Sequence, residues 1–93
     1  MKIDLTDEFF FLLGEIIHYI ASDKPLAAKK FKKILITALK KDLQFPYNYK
    51  KSNYFDNEIH RDYIYKGYTI TYEINDELQL VIVLGIIKNK FSY

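Results

Sequence analysis

From Ile59 to Lys88 the chain has its most regular pattern of apolar and polar positions. Ile59, Arg61, Tyr63 and Tyr65 alternate with His60, Asp62 and Ile64. After a break at Lys66-Gly67, Tyr68, Ile70, Tyr72 and Ile74 alternate with Thr69, Thr71 and Glu73. Period-2 alternation of β-branched and aromatic residues predicts antiparallel strands joined by tight turns. A second break falls at Asn75-Asp76-Glu77, and Leu78 to Ile87 is then apolar at nearly every position. An unbroken run of this kind predicts a strand covered on both faces, and therefore inside the sheet.

The first half has helical spacing. Thr6 followed by Asp7 and Glu8 is a helix start: a hydroxyl cap, then acids against the positive end of the dipole. Phe9, Leu13, Ile16, Ile17 and Ile20 form one stripe to face the sheet, and Phe10, Phe11 and Leu12 spill around its side. Ser22-Asp23-Lys24-Pro25 ends this helix and opens a second, with Ser22 or Asp23 as its cap and proline in its first turn. The second helix is predicted to run to about Leu43, with Ala27, Phe31, Ile34, Leu35 and Ala38 inward and its lysines mostly outward. So short a turn makes the two helices an antiparallel hairpin. Asp42 to Asn53 reads as loop. Lys2–Leu5 is a candidate for a short first strand, too brief to assign from sequence alone. The order predicts an α+β domain, with the helical hairpin laid on one face of a three- to four-stranded antiparallel sheet.

Composition sharpens this picture in three ways. Ninety-three residues make one domain, residues 1–93, that buries roughly 60–65% of its unfolded surface. Cysteine is absent, which excludes disulfides and thiolate metal sites and suits a cytoplasmic location. No apolar run approaches the roughly 18 residues that span a bilayer, and Asp4, Asp7 and Glu8 make the amino end unlike a signal peptide. The net charge of +2 hides a partition. Residues 1–23 hold five acids against Lys2, a balance of −4; residues 24–51 hold nine lysines against Asp42, a balance of +8; the remainder balances at −2. The middle block attracts anionic partners, either nucleic acid or an acidic protein segment.

Candidate chemistry is sparse. The two histidines, His18 in the first helix and His60 beside Arg61, join no HExxH, CxxC or glycine-rich phosphate motif, so neither a metal nor a cofactor is expected. His18 reads as an ordinary helix residue. Arg61 alternates in phase with Tyr63 and Tyr65; it is either an edge arginine stacked on tyrosines or a bidentate fork for phosphate or carboxylate. Phe45, Tyr47, Tyr49 and Tyr54, interleaved with Lys50 and Lys51, resemble surfaces that stack bases and hold phosphates. Tyr49, Lys50, Lys51, Arg61, Lys88 and Lys90 are the candidate target or nucleic-acid contacts, although Lys88, Lys90 and Tyr93 also have the plain reading of a solubilising tail.

Taken in order, the residues resemble the RelE/ParE superfamily of type II toxin–antitoxin toxins. The resemblance covers about residues 14 to 90. It rests on Ile16-Ile17-His18-Tyr19-Ile20-Ala21 closing the first helix, then Asp23-Lys24-Pro25 and Ala27-Ala28-Lys29-Lys30-Phe31 opening the second. The Leu39 to Pro46 exit follows, with Arg61 seven residues before Tyr68, the strand Tyr68 to Ile74, and Val81 to Ile87. It implies a strand–helix–helix–three-strand fold. One branch of the superfamily cuts messenger RNA on the ribosome; the other, ParE-like and linked to plasmid stabilisation, poisons DNA gyrase without a hydrolytic site. The helical hairpin looks more like the second. A ribonuclease would draw on Arg61, Lys88, Tyr93 and Lys50, but Lys88 stands where many relatives have His, and no His-Tyr pair exists. In the gyrase reading no catalytic residue is expected.

In both branches an acidic antitoxin wraps the toxin. Here it would cover Phe10, Phe11 and Leu12 and neutralise Lys29, Lys33 and Lys40. A homodimer is the other use for three consecutive phenylalanines, and a non-enzymatic nucleic-acid-binding module remains a third function.

Overall fold

The computed structural model describes residues 1–90. Its elements are β1 (Lys2–Leu5), α1 (Asp7–Ala21), α2 (Pro25–Asp42), a 3-10 turn (Pro46–Asn48), β2 (Lys50–Lys51), β3 (His60–Tyr65), β4 (Tyr68–Asn75) and β5 (Leu80–Lys88). Thr6 caps α1 as its sequence implies, and it does more. Its Oγ1 accepts from the Phe9 amide at 3.1 Å and donates to the Val83 carbonyl at 2.7 Å, so one hydroxyl starts the helix and ties it to β5. Ser22 does not cap α2. It closes α1, donating to the Tyr19 carbonyl at 2.7 Å, and α2 begins at Pro25 after Lys24, with no side-chain cap and no acid in its first turn. No helix among the described residues is long and apolar enough to cross a membrane.

The sheet has five strands in the order β1-β5-β4-β3-β2. The expected three- to four-stranded antiparallel meander is its centre, with β3, β4 and β5 paired antiparallel. Two features enlarge it. β1 pairs parallel to β5, Lys2 opposite Leu80 through Leu5 opposite Val83, and the two-residue β2 inside the expected loop pairs with Arg61 and Asp62. The β3–β4 turn places Lys66 at φ 46° and Gly67 at φ 85°, the double positive φ of a type I′ turn that matches strand twist.

The core joins Phe9 and Leu13 of α1 and Leu35 and Leu39 of α2, with Leu43, to Tyr63, Ile70, Tyr72, Ile74, Val81, Val83 and Ile86. A bulge in β5 makes this possible: Val83 faces Tyr72 but Gly85 faces Thr71, leaving Leu84 as the extra residue. The extra residue flips the alternation, so Ile86 points to the helices on the same side as Val81 and Val83. Buried hydroxyls are satisfied: Tyr72 donates to the Pro46 carbonyl and Tyr63 to Asp42 Oδ2, each at 2.5 Å.

Two expectations about burial are corrected. α2 turns Ala28, Leu35 and Leu39 inward, while Ala27 and Ile34 are exposed and Ala38 is half-buried. Leu35 and Phe31 pack on the core as expected, so the inner stripe runs Ala28, Phe31, Leu35 and Leu39, and the misplaced residues are Ala27, Ile34 and Ala38. β5 lies inside the sheet as expected, yet only one of its faces is fully covered. Ile82 and Leu84 are half-buried and Ile87 is 45% exposed on the helix-free face.

Candidate functional site

Arg61 sits on β3 opposite Tyr72, at the edge of the helix-covered face. Its guanidinium is engaged on every side. Nε donates to the Glu58 carbonyl at 2.8 Å, Nη1 to the Tyr49 carbonyl at 3.0 Å, and Nη2 reaches Glu58 Oε2 at 3.4 Å. The cation lies 5.1 Å from the centre of the Tyr47 ring, and the side chain is 13% exposed. Arg61 thus clamps the 3-10 turn and the loop before β3 onto the sheet. Around it, Lys51 binds Glu58 at 2.8 Å; that hydrogen bond, with the charges of Lys51 and Arg61, holds the Glu58 carboxyl below its ordinary value. Tyr49 is half-buried and meets Tyr63 edge-to-face at 5.1 Å. Burial, with Asp42 nearby, raises its phenol. Tyr47 donates to Asp76 Oδ2, and this bond raises its phenol too.

The cations proposed for RNA cleavage are not brought together. Lys88 pairs with Tyr68 at the far end of β5 and lines a cleft with Glu15 and Tyr19 of α1, on the helix side. Lys50 pairs with Asp62, Asp62 with Thr71, and Thr71 with Gly85. Lys88 is then three residues farther along and three strands across, roughly 17 Å from Lys50 at the backbone. Lys90 follows β5 and is exposed. Tyr93 lies outside the described residues.

The helix-free face has a different chemistry. His60, Asp62 and Ile64 of β3, Thr69, Thr71 and Glu73 of β4, and Ile82 and Ile87 of β5 point this way. None of them is Lys or Arg; Lys50, at the edge, shares the face through its pairing with Asp62. Asp62 is buried, accepting from Thr71 Oγ1 at 2.8 Å and from the Asn53 amide at 3.2 Å. His60 is sandwiched: Phe55 stacks on it at 3.8 Å, Asn57 Oδ1 lies 3.0 Å from Nδ1 and Glu73 Oε1 lies 3.1 Å from Nε2. These contacts fold the segment before β3 over the sheet. Beside it runs an apolar groove of about 270 Å³, bounded by Tyr54 and Phe55 on one side and by Glu8 and Leu12 of α1 on the other.

The residues assigned to an antitoxin fall into two groups. Phe10, 40% exposed, borders α2, and Phe11 is 62% exposed, whereas Leu12 leans into the groove against Gly85. Lys29, Lys33 and Lys40 are exposed on α2, as are Lys30, Lys32 and Lys41, and among the described residues none of the six makes an ion pair. His18 is exposed in the last turn of α1. Sequence reading missed the notch over Gly14, between the helices beside Phe10 and Lys32; a glycine in mid-helix was the available signal.

A helical hairpin on a mixed five-stranded sheet is the layout of the RelE/ParE superfamily of toxins. More narrowly, residues 3–93 match the family described as ParE toxin of type II toxin-antitoxin system, parDE, and the chain belongs to it. Among solved structures, a chain of the toxin–antitoxin complex RelBE2 from Mycobacterium tuberculosis aligns with a TM-score of 0.66 at 16% identity, covering 95% of this chain and 90% of that one. At that identity the likeness is one of fold. No curated protein sequence matches.

Proposed function

We propose that this toxin arrests growth by binding DNA gyrase, and that an acidic antitoxin neutralises it by covering the lysine-rich, apolar surface of the helical hairpin. One observation carries the first half. Cutting RNA by 2′-hydroxyl attack needs a base, an acid and a cation converging on one phosphate. Arg61 is committed to two backbone carbonyls, Lys88 and Lys50 stand far apart, and strands β3, β4 and β5 turn no cation to the open face. Such a surface suits protein docking better than phosphoryl transfer. The six unpaired lysines of α2 and the exposed Phe10 and Phe11 support the second half.

Inducing the chain in cells separates the readings. A gyrase inhibitor leaves a reporter plasmid relaxed, with messages intact. Codon-phased cuts in primer extension would instead establish the ribonuclease, with Lys50 and Tyr93 as its first suspects. Salt-sensitive binding to nucleic acid without either effect would favour a non-enzymatic module.

A further inference from the structure

Gly14 has no structural reason to be glycine. It lies in the middle of α1, where glycine is a poor helix former beside alanine. Its φ is not positive, and a Cβ placed on it meets nothing within 4 Å. What the missing side chain leaves is a notch of about 70 Å³ between the two helices, lined by Phe10, Leu13, Gly14, Ile17 and Lys32. The volume is about half that of the roughly 150 Å³ cavity that admits benzene, so it suits a branched aliphatic group and not an aromatic ring. The floor is apolar, and the one polar group on the rim is an ammonium.

Charge selects the occupant. Lys29 lies one turn before Lys32 on the same side of α2, and α2 holds no acid before Asp42. A second copy of this chain would bring the same lysines to the same place, whereas an acidic helix would neutralise them while its apolar stripe lay in the groove. We propose that the notch over Gly14 seats one aliphatic side chain of an acidic helical segment of the antitoxin, with its carboxylates on Lys32 and Lys29. This rests on the antitoxin reading above and adds where the antitoxin is anchored.

The test uses the full chain with Gly14→Ala, Gly14→Gln and Lys32→Glu, and as probe a purified acidic protein encoded beside this gene that rescues growth when co-expressed with the chain, titrated by calorimetry. Gly14→Ala raises the melting temperature of the free chain by about 2–8 °C, because alanine is the better helix former. The same variant weakens binding by about tenfold, because its methyl occupies the seat. Gly14→Gln weakens it further, and Lys32→Glu weakens it most at low salt. Gain of stability with loss of affinity is a pair that misfolding does not produce. Binding by Gly14→Ala and Gly14→Gln within about twofold of wild type would overturn the anchor while leaving the antitoxin reading intact. A wild-type chain that ignores the acidic product would overturn both. A wild-type dimer made monomeric by Gly14→Gln would place a second copy in the notch and overturn the proposal.

Discussion

The sequence allows Arg61 as a target-binding fork or as an edge arginine stacked on tyrosines, the structure makes it a clamp, and Arg61→Ala separates clamping from target binding. The substitution removes two hydrogen bonds from a charged donor to backbone carbonyls, 2.8 Å to Glu58 and 3.0 Å to Tyr49. Each bond of this kind is worth about 1.5–3 kcal/mol net. The contact with the Glu58 carboxylate at 3.4 Å adds little, since that carboxylate is 66% exposed; the Tyr47 ring adds about 0.5–1 kcal/mol. Both carbonyls lie near the surface and recover some hydration, so the loss should be about 2–4 kcal/mol. In a domain of this size that corresponds to a fall in melting temperature of roughly 10–25 °C. Arg61→Lys keeps the charge but not the fork, and should lose about half as much. Thermal unfolding followed by circular dichroism, alongside growth on induction, is the assay. A variant that melts within about 2 °C of wild type would refute the clamp, and one that also no longer arrests growth would return Arg61 to the target-binding surface.

Three further outcomes follow from the same contacts. Burial raises the Tyr63 and Tyr72 phenols above the ordinary 10.0, with the Asp42 hydrogen bond adding at Tyr63. The native state therefore holds these protons after the unfolded chain begins to release them, so their contribution is constant below about pH 9, begins to fall near pH 10 and goes on falling until the raised folded values are passed. Melts from pH 7 to 11 should show the decline, shallower in Tyr63→Phe. The like-charge pairs Lys29–Lys32, Lys29–Lys33 and Lys30–Lys33 on α2 each cost about 0.2–0.5 kcal/mol, so sodium chloride should raise the melting temperature by a few degrees, and less in a Lys29→Gln, Lys33→Gln chain. At Gly85 a Cβ would stand 3.1 Å from Leu12 Cδ1; Gly85→Val, which adds two methyls there, should destabilise by about 1–3 kcal/mol in urea unfolding.

Much of the fold was legible because local signals agreed with it. Thr6, Asp7 and Glu8 announced α1, Pro25 announced α2, and Lys66-Gly67 announced the hairpin. The errors arose where the sequence offers two equal answers. On α2 the expected stripe joined Phe31 and Leu35, which do pack on the core, to Ala27, Ile34 and Ala38 on the neighbouring face; Ala28 and Leu39 complete the buried stripe, and only packing on the sheet chooses it. The bulge at Leu84 is hidden in a run that is apolar at every step, where alternation has no phase to break. Whether β1 runs parallel or antiparallel to β5 leaves no mark on its four residues. The candidate site was harder to read, because the partners that occupy Arg61 are backbone carbonyls, which every residue carries. The notch at Gly14 needs both helices in place before it exists.

The central claim is that the cations of this fold are displayed for binding and not assembled for cleavage. Its most direct test is ATP-dependent supercoiling of relaxed plasmid by purified gyrase. Added toxin should stop the reaction, and prior mixing with the acidic antitoxin should restore it. Full supercoiling at a large excess of active toxin, from a preparation that cuts message on purified ribosomes, would contradict the claim.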